Sequence, residues 1–188
     1  MNLNDDFSRR VVSHAADALW VESPEPGVRR RMLDRVGGEV ARATSTPFSR
    51  DGCVLFVKLW QFSAGDTEPV RIDTRHALWR PGLVPGLSVL PLHSHDGIDT
   101  ALVRWAPETR FHTHTHPGGE EILVLEGVFR DEGGEYAAGS WLRSPRWSRH
   151  TPFTGPEGAL IYVKVGHLGA DLRMPGEATA RTAPGRLP

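Results

Sequence analysis

Apolar residues in this chain come in short runs separated by turn residues, and this pattern limits the folds open to it. Runs of strand length include VLFVKLW (54–60), TALVRW (100–105), EILVLEG (121–127) and LIYVKVG (160–166). Turn segments such as PGG, EGG and TGPEG lie between them, and Gly (20) and Pro (15) occur throughout the chain. Short β-branched and aromatic runs bounded by turns are typical of strands. Helical periodicity is weak outside residues 8–19, so we predict a mostly antiparallel sandwich or barrel.

Charge and composition exclude several classes of partner. The net charge of -1 gives no reason to expect binding to nucleic acid or to an anionic membrane. Cys53 is the single cysteine, which excludes an internal disulfide framework, and its apolar neighbours predict a buried side chain. The first residues lack the apolar stretch of a secretory signal, and no apolar run approaches the ~20 residues of a membrane-spanning helix. We therefore expect a soluble, cytoplasmic protein.

The chain contains an internal repeat that lacks its middle in the first copy. DALW (17–20) recurs as HALW (76–79), and a Pro-Gly pair follows each at the same offset. STPFSRDGCVLFVKLW (45–60) likewise matches HTPFTGPEGALIYVKV (150–165), but residues 102–150 have no counterpart in the first half. The predicted division is a truncated first repeat with an N-terminal segment at 1–62, a linker at 63–75, an intact repeat at 76–168 and a largely disordered tail at 169–188.

The intact repeat holds nearly all of the polar chemistry, in FHTHTHPGGEEILVLEG (111–127). Side chains alternate along a strand, so His112, His114 and His116 point to the same side. The PGG turn lets the chain reverse, and Glu120 can then return a carboxylate to that side. His150 follows in the next hairpin, so imidazoles and a carboxylate converge as in a divalent-metal site.

The spacing of these residues resembles the two cupin motifs. His114, His116, Glu120 and Gly127 match the first motif, and Gly139, Pro145 and His150 match the second. The stretch RFHTHTHPGGEEILVLEGVFRDEGGEY more narrowly resembles the ChrR-like cupins, whose cupin domain binds zinc through three His and one Glu. The resemblance implies a cupin jelly roll with a few extra strands from the truncated repeat. It also implies one divalent metal ion per chain, held by His114, His116, Glu120 and His150.

Three features depart from this resemblance. Glu108 and Trp147 stand where the cupin motifs usually have Gly, and both are turn positions, so loop geometry is in question there. ChrR-type anti-sigma factors also carry a separate helical N-terminal domain with a His/Cys zinc motif. This chain offers no room for that domain and has one cysteine, so we do not expect direct binding to a sigma factor.

Three functions remain open for such a site. Zinc accepts four ligands, so a His3Glu zinc site would be closed and suited to sensing or structure. Iron(II), manganese(II) or nickel(II) prefers six ligands, which leaves two positions for a small-molecule substrate. The second case resembles the cupin dioxygenases that cleave a β-diketone or enediol, with Glu120 available as a base. In the third, the cupin serves only as an assembly module.

Two further expectations concern the surroundings of the site. Strands predicted at 37–45 and 52–62 would have edges to cover, either by extending the sheet of the intact repeat or by pairing in a homodimer. His93 and His95 form a second HxH without further ligands, and we expect them in an exposed loop. Strand alternation predicts seven residues lining a pocket beside the metal: Val103, Trp105, His112, Val124, Leu142, Phe153 and Tyr162.

Overall fold

A computed structural model of the chain describes residues 3–17, 19–34, 48–59, 61–62 and 65–169. These residues form strands and turns, with no helix among them, which confirms the all-β prediction. Residues 8–17, where helical periodicity was strongest, contain a strand and turns instead. In chain order the strands are β1 Val11–Ser13, β2 Val21–Glu22, β3 Arg29–Arg30, β4 Arg80–Pro81, β5 Leu87–His95, β6 Ile98–Trp105, β7 His114–His116, β8 Glu120–Asp131, β9 Gly134–Ala137, β10 Trp141–Ser144, β11 Ser148–His150 and β12 Phe153–Val165.

The strands form an antiparallel jelly roll, as the cupin resemblance implies. Its main sheet has the order β1-β10-β8-β12-β6-β5-β4, and β9 pairs with the far end of β8. The long strands β8 and β12 pair with each other in the middle of this sheet. Strands β7 and β11 form a separate two-stranded sheet, and β2 and β3 form another. The sheet of β7 and β11 contains the three histidines of the predicted metal site.

One face of the main sheet carries the hydrophobic core. Ile122 and Val124 of β8, Leu142 of β10 and Ile161 of β12 are each at most 3% exposed. Trp105, Phe129, Tyr136 and Ala159 complete the buried cluster. Burying an aliphatic or aromatic side chain of this size stabilises a fold by roughly 1.5–3 kcal/mol. The same face of β8 continues from Val124 and Ile122 directly to Glu120, so the core borders the predicted site.

The N-terminal segment adds strand β1 to the edge of the main sheet. Val11 pairs with Arg143 and Ser13 with Trp141 of β10. The fully buried Arg143 guanidinium donates hydrogen bonds to the carbonyl oxygens of Asn4 (2.6 Å) and Asp6 (3.2 Å). The truncated repeat therefore contributes an extra strand to the sheet of the intact repeat.

The two hairpins that begin the repeats share one hydrogen-bond pattern. The amide of Ser23 donates to the carbonyl of Val28, and the amide of Gly82 donates to that of Leu87, both at 2.9 Å. A left-handed glycine closes each turn, with φ of +74° at Gly27 and +90° at Gly86. This match supports the internal repeat, while the boundaries assigned to the repeats and the linker stay predictions.

The structure differs from the second half of the repeat match. Residues 48–59 form no strand, although their sequence matches that of β12. β12 pairs with β6 and β8, and the first repeat lacks the residues that would supply the counterparts of those strands. A strand without hydrogen-bonding neighbours leaves its backbone groups to water, and residues 48–59 form no strand with the other described residues. The prediction that 52–62 extends the sheet is therefore wrong for residues 52–59. Residues 37–45 and 170–188 lie outside the described part of the chain.

Two smaller expectations are also wrong. Cys53 is exposed rather than buried, because its segment does not enter the sheet. His93 and His95 lie at the end of β5 rather than in a loop, and His93 Nε2 is 2.7 Å from a carboxylate oxygen of Asp66. No helix long and apolar enough to cross a membrane occurs among the described residues.

We expect Glu108→Gly to stabilise the fold. Glu108 is exposed and has a φ of +56°, a left-handed conformation that costs a non-glycine residue roughly 1–2 kcal/mol. The greater freedom of glycine in the unfolded chain offsets part of this gain, which leaves about 0.5 kcal/mol or slightly more. Urea unfolding of the variant and the parent protein measures the difference. The control is Glu126→Gly, an exposed position within β8 outside the left-handed region, which should lose about 0.5–1 kcal/mol. Destabilisation of equal size in both variants would contradict strain at Glu108.

Candidate metal centre

Pairing between β7 and β11 brings three imidazoles together. His114 lies opposite His150 in this pairing, and His116 lies opposite Ser148. The Nε2 atom of His150 is 3.1 Å from Nε2 of His116 and 3.2 Å from Nε2 of His114. Ligand atoms of the three residues all lie within 4.8 Å of one another. Two strands that are far apart in sequence thus direct three nitrogen donors at one point.

These separations fit a bound cation. Imidazole nitrogens bind zinc at roughly 2.0–2.1 Å, so two such nitrogens at a tetrahedral ion would be roughly 3.3–3.4 Å apart. The observed distances of 3.1 and 3.2 Å are slightly shorter and correspond to N–metal–N angles of roughly 100°. The three imidazoles could therefore hold one metal ion between them.

Glu120 supplies an oxygen donor beside the three nitrogens. The turn at Pro117–Gly119 returns the chain to β8, which begins at Glu120. One carboxylate oxygen is 3.4 Å from His116 Nε2, and the other is 3.5 Å from His150 Nε2. The residue is only 6% exposed, and its Oε2 has no hydrogen-bond partner among the described residues. A buried oxygen without a partner is costly, so this donor set fits a divalent ion.

Burial determines the protonation of the cluster. Burial, together with the smaller effects of the neighbouring His114 and His150, lowers the pKa of His116 to about 3. Burial is also the main cause of the lowered pKa of His114. Neutral imidazole is the form that binds a metal, so both residues are ready to do so at neutral pH. Burial raises the pKa of Glu120 to about 7, because a carboxylate is poorly solvated there.

His150 differs from the other two histidines because a second carboxylate lies behind it. Its Nδ1 is 3.5 Å from Oδ2 of Asp131, the last residue of β8. Burial lowers the pKa of His150, but Asp131 and Glu120 outweigh that effect and the net shift is upward. The sequence analysis did not identify Asp131. Its signal would have been a carboxylate at the end of an otherwise apolar strand that also carries a predicted ligand.

The residues predicted to line a pocket are divided among several places. Val103 packs against the core, and Trp105, Val124 and Leu142 belong to it. Phe153 lies under the Arg110 guanidinium, and Tyr162 packs edge-on against Phe56 on the outer face of the sheet. His112 is exposed, and its ring centroid lies 6.0 Å from that of His114. The structure thus brings the four predicted ligands together, while a pocket lined by the other seven residues stays a prediction.

Two surface depressions lie near the cluster, but none of the three histidines lines either. The first is lined by the mostly exposed residues Arg10, Thr113, Glu132, Gly133, Arg149 and Thr151. The second lies around Arg110, Arg130 and Phe153. Both open to solvent at the ends of the strands, away from the point where the imidazoles converge.

Comparison with known proteins identifies related sequences and structures. The family model of the ChrR cupin-like domain matches residues 67–169, more than half of the chain. No curated protein sequence matches the chain. Among solved structures, ChrR of Rhodobacter sphaeroides, crystallised as an anti-sigma factor with SigE, is 25% identical with a TM-score of 0.44. That alignment covers 49% of this chain and 51% of ChrR, so this chain spans about half the length of ChrR.

Two other solved structures show a similar degree of likeness. An RmlC-like cupin protein of Ralstonia eutropha is 18% identical with a TM-score of 0.48, and the alignment covers 55% of this chain and 72% of that one. An acetylacetone dioxygenase of Acinetobacter johnsonii is 22% identical with a TM-score of 0.44, with 52% and 72% covered. At these values the likeness concerns the fold and not the chemistry.

We expect Glu120 to make the metal-free protein less stable as the pH rises. Folding raises its pKa from 4.5 to about 7, so its contribution is fully present below pH 4.5 and is lost as the pH rises through 7. The shift corresponds to on the order of 3 kcal/mol. Urea unfolding with a chelator at about pH 4.5 and about pH 8 measures it, and Glu120→Gln should lack this component.

Glu121→Gln provides the matched control for this measurement. Glu121 is the next residue of β8, and hydrogen bonds and a lysine hold its pKa at about 2 despite burial. Its contribution is present above pH 4.5 and is lost only as the pH falls toward 2. The control should therefore keep the wild-type change in stability between the two pH values. If Glu120→Gln shows the same change in stability between the two pH values as the parent protein, then a buried Glu120 carboxylate without a partner is not its cause.

Proposed function

Because the chain belongs to the ChrR cupin-like domain family, we propose that it binds one divalent metal ion per chain in a sensing or regulatory role. The observation that carries this proposal is that Nε2 of His150 lies 3.1 Å from Nε2 of His116 and 3.2 Å from Nε2 of His114, beside an oxygen of Glu120 that has no hydrogen-bond partner among the described residues. The ligands are His114, His116, Glu120 and His150.

Zinc is the metal that we propose first. Four protein donors satisfy its preferred tetrahedral coordination without any added ligand. The core behind the site supports a closed centre, because Val124 and Leu142 are at most 2% exposed. Such a centre gives a stable, metal-dependent structure and leaves little room for a substrate. A sensing role follows because occupancy of the site would change the stability of the domain.

A metal-dependent dioxygenase is the second candidate. The observation that favours it is the partial exposure of His114 and His116, which leaves one side of the cluster open to solvent. Iron(II), manganese(II) or nickel(II) would keep free coordination positions on that side and supply Lewis-acid or redox chemistry to a small diketone or enediol. The chain itself would contribute Glu120, whose pKa of about 7 suits it to accept a proton from such a substrate.

We also propose that two copies of the chain associate. Burial alternates along residues 55–59, a segment that forms no strand among the described residues. Phe56 and Lys58 face the sheet, where they contact Tyr162 and Glu121. Three residues on the other side of the segment are more than 60% exposed: Leu55, Val57 and Leu59. An extended segment with an exposed apolar side is suited to covering by a second copy. The cytoplasmic location and the absence of sigma-factor binding stay predictions.

Elemental analysis of the purified protein tests the metal site. We expect about one zinc per chain in protein prepared without nickel-affinity chromatography. His116→Ala should abolish this stoichiometric binding, because it removes a central nitrogen donor. His95→Ala belongs to the other HxH and should bind the metal as the parent does. Equal loss in both variants would show that the wrong histidine pair has been assigned, and no metal in the parent would overturn the proposal.

The identity of the metal separates the two candidate functions. Iron or manganese at one ion per chain, together with oxygen uptake that depends on a β-diketone, would establish the dioxygenase. Zinc at full occupancy without oxygen uptake supports the sensing role. Reconstitution of chelated protein with each metal in turn controls for incorporation of zinc by the expression host.

Sedimentation velocity tests the association of two copies. We expect a dimer at micromolar concentration, and Val57→Asp should shift it toward monomer by placing a charge on the exposed apolar side. Glu126→Lys, an exposed change on β8, is the control and should leave the dimer intact. A parent protein that is monomeric throughout the micromolar range would overturn the proposed dimer.

A further inference from the structure

His150 leaves one ring nitrogen for a partner outside the proposed metal site. Its Nε2 faces the other two imidazoles at 3.1 and 3.2 Å, so Nδ1 must carry the proton whenever Nε2 binds a metal. Oδ2 of Asp131 lies 3.5 Å from Nδ1 and can accept that proton's hydrogen bond. We infer that Asp131 is the positioning residue of the metal centre and that Arg10 of the N-terminal segment holds it in place. This inference rests on the metal binding proposed above.

Asp131 is itself held rigidly by hydrogen-bond donors. Its side chain is 1% exposed, and Oδ1 accepts from the Tyr136 hydroxyl at 2.9 Å and the Gly133 amide at 2.7 Å. Oδ2 accepts from Arg10 Nη2 at 2.5 Å, and the same Nη2 lies 2.9 Å from the Tyr136 hydroxyl. Each of these partners donates a hydrogen bond to Asp131, so together they favour the charged form of its carboxylate in one orientation. A carboxylate behind a metal-binding histidine fixes its tautomer and strengthens its donor nitrogen.

A bulge in β8 explains how Asp131 reaches the face that Glu120 occupies. The two residues lie at opposite ends of β8 and are separated by an odd number of positions, so strict alternation would put them on opposite faces. In the pairing with β12, however, Leu160 lies opposite Glu126 and Ile161 opposite Val124, which leaves Leu125 as an extra residue. One extra residue reverses the alternation, and bulges often redirect a side chain beside a functional site.

Arg10 connects the N-terminal segment to this arrangement. It immediately precedes β1, which pairs with β10 at the edge of the main sheet. Contacts link Arg10 to Asp131 and Asp131 to His150. A residue outside the intact repeat therefore helps to surround a proposed metal ligand. Docking of the N-terminal segment and retention of the metal should therefore depend on each other.

Titration of the chelated full-length protein with Co²⁺ tests the role of Asp131. We expect Asp131→Asn to bind Co²⁺ about 10–100-fold more weakly than the parent. The amide nitrogen of Asn would face a hydrogen-bond donor, whereas the carboxylate oxygen in that position accepts the hydrogen bond. At saturating Co²⁺ the visible absorption bands should also shift, since His150 would no longer be held in one orientation. Arg10→Gln should weaken binding in the same direction and by a smaller factor.

Glu121→Gln controls for the loss of a buried carboxylate. Glu121 is 2% exposed and accepts hydrogen bonds from Trp141 Nε1 and His167, but it faces away from the cluster. Its folded fraction should bind Co²⁺ with the affinity and spectrum of the parent. Circular dichroism confirms the folding of each variant. If Asp131→Asn does not fold, Tyr136→Phe is used in its place, because it removes one of the hydrogen bonds that hold the Asp131 carboxylate.

The outcomes separate this inference from the proposed function. A parent protein that does not bind Co²⁺ would overturn the proposed function itself. A parent that binds, with Asp131→Asn unchanged in affinity and spectrum, would overturn the role of Asp131 alone. A change in Asp131→Asn without any change in Arg10→Gln would remove Arg10 from the arrangement.

Discussion

The site depends on how two adjacent buried carboxylates of β8 are compensated. Glu121 accepts hydrogen bonds from Trp141 Nε1 at 2.7 Å and His167 at 2.9 Å and pairs with Lys58, so its pKa falls to about 2. Glu120 has an oxygen without a partner, and its pKa rises to about 7. Both are at most 6% exposed, so burial alone does not explain the difference. The described residues provide hydrogen-bond donors and a lysine for Glu121, but they leave one oxygen of Glu120 without a hydrogen-bond partner.

Because side chains alternate along β8, these two carboxylates lie on opposite faces of the main sheet. Glu120 faces the core and the histidines, whereas Glu121 faces the outer side, where Lys58 of the truncated repeat reaches it. Phe56 of the same segment packs against Tyr162 with ring centroids 5.2 Å apart. The truncated repeat thus supports the intact one from outside through this segment, and from the sheet edge through Arg10.

The sequence predicts what depends on local spacing and misses what depends on pairing between distant segments. The directions of His114, His116 and Glu120 follow from one strand and its turn, so their spacing was sufficient to place them together. His150 pairs from the distant strand β11, and the resemblance to the second cupin motif identified it. Asp131 could not be placed by alternation, since the bulge at Leu125 becomes visible only in the pairing with β12. Residues 52–62 were predicted as a strand because their side chains suit one, but a strand also needs neighbours, and residues 52–59 form none.

The same limit applies to the turns at Glu108 and Trp147, where the cupin motifs usually have glycine. Both residues adopt left-handed conformations, with φ of +56° and +63°. At Trp147 the reason is a hydrogen bond, because its amide donates to the carbonyl of His116 at 2.7 Å and so ties the turn before β11 to the strand that carries two ligands. Relaxing the turn would break that bond and displace β11, and His150 with it. The geometry of the metal centre therefore maintains a backbone conformation that the side chain disfavours.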